Sequence, residues 1–230
     1  MNPALAAVLA EIDAVDWSAH TGRRRVCDTG GELRRLAGAR LLNEAASAGT
    51  RLLEDSALVD DFELTLGPAC VPAVPILLGI AEHGSSPAAA AALGVLDGIL
   101  DRSPEPGAER TAGGVLQCCA VADLVRAHPL KPGGPARRDR ELRAALDRHW
   151  RFEVLRVLDA GAGWSIAHGL LTGRLTGPPA HVDPYGDEPG TLTVEPGWTA
   201  HTGEGEAVLR VTGTSVGAGR VLRPARCVDW

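Results

Sequence analysis

Lysine, methionine and aromatic residues are scarce in this chain of 230 residues. Lys131 is the only lysine, there is one methionine, and two phenylalanines stand beside one tyrosine. A core with so few large rings must be filled by leucine, valine and alanine, which suits closely packed helices. Glycine and proline are abundant instead, with 28 and 16 residues, and they predict many breaks between short elements.

The sequence also lacks long apolar runs and an excess of positive charge. Its 23 Lys+Arg and 29 Asp+Glu residues give a net charge of −6. This charge argues against binding to nucleic acid, which requires a basic surface. No run of about 18 apolar residues is present, so we expect no transmembrane helix and no membrane partner. Glu11 and Asp13 lie where a signal peptide would be uncharged, and we therefore expect a cytoplasmic protein.

Common catalytic motifs are absent from the sequence, including HExxH, GxSxG, the Walker phosphate loop and the dinucleotide-binding GxGxxG. The five cysteines fit neither a disulfide framework nor a CxxC site. Cys118 and Cys119 are adjacent in the apolar run VLQCCAVADLV, where thiols behave as small hydrophobic groups. We therefore expect buried thiols, no metal and no cofactor. The alternative is a metal or redox site completed by His128 or another ligand.

Apolar residues recur at helical spacing over the first two-thirds of the chain. Asn2 is placed to cap a first helix, and a second helix is predicted over 31–48. A turn that begins at Ser85 separates two further apolar segments, which predict helices that pack antiparallel. A second pair of helices is predicted over 110–127 and 136–159, the latter with apolar residues along one stripe.

One of these pairs has a recognisable pattern. Residues 68–100, PACVPAVPILLGIAEHGSSPAAAAALGVLDGIL, resemble a HEAT-type helical repeat in the VPAVPILL helix, the short polar turn and the alanine-rich second helix. The segments EIDAVDWSAHTG and SAGTRLLEDSA are similar to the N-terminal parts of actinobacterial HEAT-repeat proteins. This resemblance covers about residues 8–102. It implies a mainly α fold of HEAT-like antiparallel helix pairs, an α-solenoid, whose curved surface binds another polypeptide.

The composition changes after residue 160. Residues 161–190 are rich in glycine and proline, and from 191 onward apolar residues alternate with strand spacing, as in EAVLRVTG. We therefore predict two domains. Residues 1–160 form a HEAT-like helical domain, and residues 161–230 form a Gly/Pro-rich loop and a small C-terminal antiparallel β element packed on it.

Three residues of the predicted loop are candidates for catalysis. His181, Asp183 and Tyr185 bring an imidazole, a carboxylate and a phenol into one short segment, which is suited to acid-base chemistry on a small substrate. The alternative is a polar surface loop in which the Asp-Pro and Tyr-Gly steps form turns.

Four other residues are candidates for binding a partner. His149 and Trp150 lie beside the apolar stripe of the last predicted helix, and Arg137 and Arg138 belong to a basic cluster that could dock an acidic partner. The alternative for the arginines is an ordinary solvated helix face. The sequence thus predicts a binding or accessory protein, with an immunity role as one example. A small-substrate enzyme of a biosynthetic pathway, with its acid-base site at 181–188, is the alternative.

Overall fold

Two kinds of secondary structure form separate parts of this chain. A computed structural model describes residues 2–20, 28–54, 58–60, 65–104, 110–128, 136–161, 163–175, 180–185, 192–196, 205–213 and 216–224. These residues form seven α-helices and nine β-strands, and six of the strands close into an antiparallel barrel. The predicted mainly α fold is therefore wrong, and the protein has an α/β fold.

The chain divides into two compact units that interleave in sequence. The helical unit comprises Met1–Glu109 and Ala120–Arg143, and the barrel unit comprises Arg110–Cys119 and Ala144–Trp230. The division therefore falls within two helices. The predicted boundary at residue 160 lies instead within the barrel unit, between its first two strands.

Up to residue 148 the helices lie in or near the predicted segments, but the single helix predicted over 31–48 is interrupted at 39–41, and the helix predicted over 110–127 begins at Gln117. Their bounds are α1 Pro3–Ala14, α2 Thr29–Gly38, α3 Leu42–Glu54, α4 Cys70–His83, α5 Ser86–Leu100, α6 Gln117–Ala127 and α7 Ala136–Arg148. A short sheet, also in the helical unit, consists of β1 (Val59–Asp60), β2 (Thr65–Leu66) and β3 (Ser103–Pro104). None of the helices in the described ranges is long and apolar enough to cross a membrane.

Side-chain hydrogen bonds mark where helices of the helical unit begin. The Asn2 side chain accepts a hydrogen bond from the Ala4 amide at 3.0 Å, which confirms the predicted cap of α1. The predicted helices around the Ser85 turn are confirmed as α4 and α5. The Ser85 hydroxyl accepts from the Ala88 amide at 3.3 Å and donates to the Ala39 carbonyl at 2.6 Å. This second bond ties the start of α5 to the end of α2.

The predicted helix over 136–159 ends eleven residues early, at Arg148, and this difference overturns the HEAT-like interpretation. Residues 151–159 form a strand in which Phe152 and Val154 are fully buried. A spacing of four residues between apolar positions fits both a helix and a strand, because four is a multiple of the two-residue strand period. Both helices of the second predicted pair are present in shortened form, as α6 and α7, but a barrel of strands follows them, so neither the HEAT-like repeat nor the α-solenoid describes this chain.

The barrel is a closed ring of antiparallel strands. Its strands are β4 Arg151–Asp159, β5 Trp164–Thr172, β6 Ala180–Tyr185, β7 Leu192–Pro196, β8 Gly205–Thr212 and β9 Val221–Pro224. Around the ring their order is β4-β5-β8-β7-β6-β9, and β9 returns to β4 through the pair Phe152↔Leu222. The β structure is therefore larger than predicted, because β4 lies in the predicted helix and both β5 and β6 lie in the predicted Gly/Pro-rich loop.

Alternate residues of these strands fill the barrel interior. The buried cluster includes Trp150, Phe152, Val154, Ala167, Leu171, Leu192, Val194, Leu209, Val211 and Leu222. The register of β4 shifts at Leu155, between Val154 and Arg156. Such a bulge adds one residue to a strand and changes which later side chains face outward. Leu155, Arg156 and Leu158 are consequently exposed, whereas Val157 packs against the core.

Candidate functional site

Two thiols and one imidazole meet in the interior of the barrel unit. Cys118 and Cys119 are the second and third residues of α6, and His149 lies between the end of α7 and the start of β4. All three residues are completely buried, and their ligand atoms lie within 4.8 Å of one another. We refer to Cys118, Cys119 and His149 as the cysteine–histidine cluster.

Backbone hydrogen bonds hold both segments that contribute to the cluster. Before α6, the Thr111 amide donates to the Val115 carbonyl at 2.8 Å, and the Arg110 side chain donates to the Gly114 carbonyl at 2.7 Å. Gly114 has a φ of 77°, a conformation that favours glycine in this tight turn. These contacts fix the position at which α6 begins, and therefore the position of its two cysteines.

The second segment is tied to one end of the barrel. The His149 amide donates to the Leu146 carbonyl at 3.0 Å, and the Arg174 amide, just after β5, donates to the Asp147 carbonyl at 3.1 Å. Trp150 is the next residue and belongs to the barrel core. His149 is thus held where the start of β4 and the end of β5 meet.

The donor atoms of the cluster are those that thiophilic metal ions prefer. Thiolate and imidazole ligands are typical of zinc and of related soft or borderline ions. The sequence correctly placed these thiols in the protein interior but expected no metal. It proposed His128 as a third ligand of the alternative site, whereas His128 lies 3.6 Å from the Glu82 carboxylate in the helical unit. The structure brings His149 to the thiols instead.

Cys70 provides a contrast to the cluster. It is also fully buried, at the start of α4 in the helical unit. Burial raises the pKa of its thiol to about 12, because charge on the sulfur is unfavourable away from water. Cys70 does not belong to the metal-ligand group that the described residues form, and it is best understood as a packing residue.

The other predicted functional residues occupy varied positions. His181, Asp183 and Tyr185 lie at alternate positions of β6, opposite Thr193, Arg223 and Val221 respectively. They are therefore in a strand rather than in the predicted loop, and their acid-base role stays a prediction. Residues 186–188, the remainder of the predicted site at 181–188, lie outside the described residues.

The four residues predicted to bind a partner are divided between core and helix. His149 and Trp150 are buried, with exposures of 0% and 4%, so neither presents a surface to a partner. Arg137 and Arg138 lie in the first turn of α7, and their side chains are outside the described residues.

A second feature of the barrel unit is an apolar outer surface on β4 and β5. Leu155, Leu158 and Leu170 are exposed to 54%, 46% and 41%, and we call these three residues the leucine face. Leu158 pairs with Ile166 across the two strands, and Ile166 is itself only partly buried. This surface could not be predicted from the sequence, because the helix predicted over 136–159 places Leu155 and Leu158 in a packed stripe.

Charged residues surround the leucine face. Arg156 is exposed and pairs in register with His168 on β5, rather than with an acidic residue. Arg210 on β8 lies 3.8 Å from Glu195 and 4.8 Å from the centre of the Trp164 ring. Glu153, which pairs in register with Leu170, lies 3.7 Å from Arg151, so charges of both signs border the leucine face.

Comparisons with known proteins identify no relative. No protein-family model, no curated protein and no solved structure matches this chain. The function proposed below is therefore inferred only from the geometry of the chain's own residues.

Proposed function

We propose that this protein is an accessory protein that binds another polypeptide through the leucine face of its barrel unit. The observation that carries this proposal is the exposure of Leu155, Leu158 and Leu170 on neighbouring strands. Apolar side chains that are grouped on one exposed surface commonly mark a protein interface. This surface replaces the curved helical surface that the sequence predicted.

The topology of the barrel restricts how a partner can bind. Among the described strands β4–β9, every strand pairs with two neighbours in the ring. An added strand from a partner would need an unpaired edge, so binding by strand addition is not supported. A partner that packs flat against the side chains is supported instead.

The charges beside the leucine face indicate the chemistry of the partner. Arg156, which pairs in register with His168, brings a positive charge next to the apolar residues. A complementary surface would present apolar side chains and at least one carboxylate. An amphipathic helix with apolar residues at positions i, i+3 or i+4, and i+7, and an acidic residue beside them, meets both requirements. Such a protein works in the cytoplasm under this proposal, where thiols remain reduced.

Site-specific photo-crosslinking of the full chain in its own cells tests the proposal. A photoreactive benzophenone amino acid replaces Leu158 in one variant and Leu170 in another. Leu42, in the helical unit, is exposed to 73% and is a control leucine that does not belong to the leucine face. Mass spectrometry then identifies the attached peptides.

We expect positions 158 and 170 to attach to one recurring amphipathic, acidic segment that position 42 does not capture. Arg156→Glu should lower the yield of this crosslink, because the new carboxylate would repel the acidic residue of the partner segment. The proposal is overturned if the crosslinks form only to a second copy of this chain or to many unrelated proteins. It is also overturned if position 42 captures the same segment with equal yield.

A further inference from the structure

We propose that the cysteine–histidine cluster is a binding site for one divalent thiophilic metal ion, with Zn²⁺ as the expected ion. The ligands are the sulfur atoms of Cys118 and Cys119 and a ring nitrogen of His149. Three donors of the appropriate types already lie within 4.8 Å of one another, and all are shielded completely from solvent. This inference is independent of the leucine face.

The spacing of the donor atoms fits a zinc ion after a small contraction. Zinc bonds of about 2.3 Å to sulfur and about 2.0 Å to nitrogen place tetrahedral ligand atoms roughly 3.5 Å apart. The observed upper limit of 4.8 Å therefore requires each pair of donors to approach by about 1.3 Å at most. Rotation of the cysteine side chains supplies movements of this size without a change in the backbone.

The position of the thiols within α6 explains how adjacent cysteines reach the same ion. Consecutive helical residues point about 100° apart, so two such thiols share an ion only if it lies between them. The beginning of a helix also favours anions, and it therefore favours the thiolate form that binds metal. His149 approaches from the α7–β4 junction as the third donor, and a tetrahedral zinc ion keeps one further position for a fourth ligand.

Charge balance decides between a divalent ion and a monovalent ion. Two thiolates and a neutral imidazole carry a charge of −2, which a divalent cation neutralises. A monovalent copper ion would leave one negative charge in a fully buried site, and burial of an uncompensated charge is costly. The complete burial of all three ligands thus favours Zn²⁺.

Burial also indicates the role of the ion. No ligand is exposed, so substrate cannot reach the metal from solvent in this conformation. A metal ion in such a position is bound as the protein folds, and its binding energy contributes to folding. It would join the segment Arg110–Cys119 to the α7–β4 junction, and we therefore infer a structural ion of the barrel unit.

Metal titration of the purified full-length protein tests this inference. After removal of metal by a chelator under reducing conditions, Co²⁺ is added as a coloured substitute for zinc, followed by Zn²⁺. We expect the intense absorption of thiolate–cobalt bonds to saturate at one equivalent and to disappear when Zn²⁺ displaces Co²⁺. Zn²⁺ should also raise the melting temperature.

Variants distinguish this site from other thiols. The double variant Cys118→Ala/Cys119→Ala should lose the absorption. His149→Gln should bind the metal at least about 100-fold more weakly, because loss of a residue that only supports a ligand already lowers metal affinity by about 10–100-fold. Cys70→Ala and Cys27→Ala/Cys227→Ala are controls that should retain the site. Circular dichroism in metal-free buffer checks that each variant folds. If a variant does not fold, the metal titration of the unaltered protein still tests the proposal.

The proposal is overturned if the unaltered protein takes up no stoichiometric Co²⁺ or Zn²⁺. It is equally overturned if binding survives in Cys118→Ala/Cys119→Ala, or if it requires Cys27 or Cys227.

Discussion

Gly169 and Phe152 face each other inside the barrel with no space for an additional carbon atom between them. A Cβ atom at position 169 would lie 2.8 Å from the Phe152 ring and would overlap the Glu153 carbonyl oxygen. The overlap with backbone cannot be relieved by a change of rotamer. We expect Gly169→Ala to destabilise the barrel unit by at least about 3 kcal/mol, as measured by urea denaturation.

Gly217, in the same unit, is a matched control for this substitution. A Cβ atom there would meet nothing within 4 Å. Gly217→Ala should therefore leave the unfolding midpoint almost unchanged, and a similar loss in both variants would contradict the steric explanation.

Gly79 in α4 makes a comparable close contact with Val8 in α1. A Cβ atom at position 79 would approach Val8 Cγ2 to 2.7 Å, but here the obstacle is a side chain. We expect Gly79→Ala to cost about 1–3 kcal/mol. The double variant Val8→Ala/Gly79→Ala should be more stable than the sum of the two single changes predicts, because it restores the space. Exact additivity in a double-mutant cycle would show that the two positions are not coupled.

The buried carboxylate of Glu32 anchors two arginines of the helical unit. Its side chain is 5% exposed, 2.5 Å from Arg35 Nη1 and 3.3 Å from Arg51 Nη1. We expect Glu32→Ala to cost about 1–3 kcal/mol in the free energy of unfolding, because hydrogen bonds to a charged group are lost.

Removal of one arginine should have a smaller effect. The Arg51 side chain is about half exposed, and Arg51→Ala should cost less than about 1 kcal/mol because water screens this pair. Glu11→Ala, at an exposed position of α1, should change stability by no more than about 0.5 kcal/mol. If Arg51→Ala proves more costly than Glu32→Ala, the carboxylate is not the anchor.

Burial of Cys70 predicts a loss of stability at alkaline pH. The ordinary thiol pKa of 9.0 is raised to about 12 in the folded protein, so the folded state retains a proton that the unfolded state releases. The contribution of this group is complete below pH 9.0 and is lost as the pH rises toward 12. The slope is about 1.4 kcal/mol per pH unit over that range.

Comparison with Cys70→Ala isolates this effect. Urea unfolding of both proteins at several pH values above 8 should show a stability difference that is constant up to about pH 9 and then decreases. A difference that stays constant to pH 11 would show that the thiol titrates equally in both states.

Helices of the helical unit could be predicted from neighbouring residues. The barrel was harder to predict, because its strands pair with segments that are distant in the sequence. Asn2 and the Ser85 turn mark helix starts by their own chemistry, so they were found from neighbouring residues alone. The four-residue spacing of Leu146, Trp150, Val154 and Leu158 predicts a helix where the structure has strand β4. Its strand conformation depends on pairing with β5 and β9, which no local pattern records.

The cysteine–histidine cluster illustrates the same limit. The thiols were recognised as buried from their apolar run, but the third member could not be chosen from sequence. His128 is nearer to Cys119 along the chain, whereas the barrel unit brings His149 to the thiols. Spatial neighbours of this kind become visible only when the fold is known.

The interleaving of the two units sets an order of events during synthesis. The ribosome releases Cys118 and Cys119 before any barrel strand, so these thiols have no barrel to enclose them while the next residues emerge. The ring itself cannot close until β9 is available to pair with both β4 and β6. The helical segment can fold while the chain grows, but the barrel must wait for one of its shortest strands.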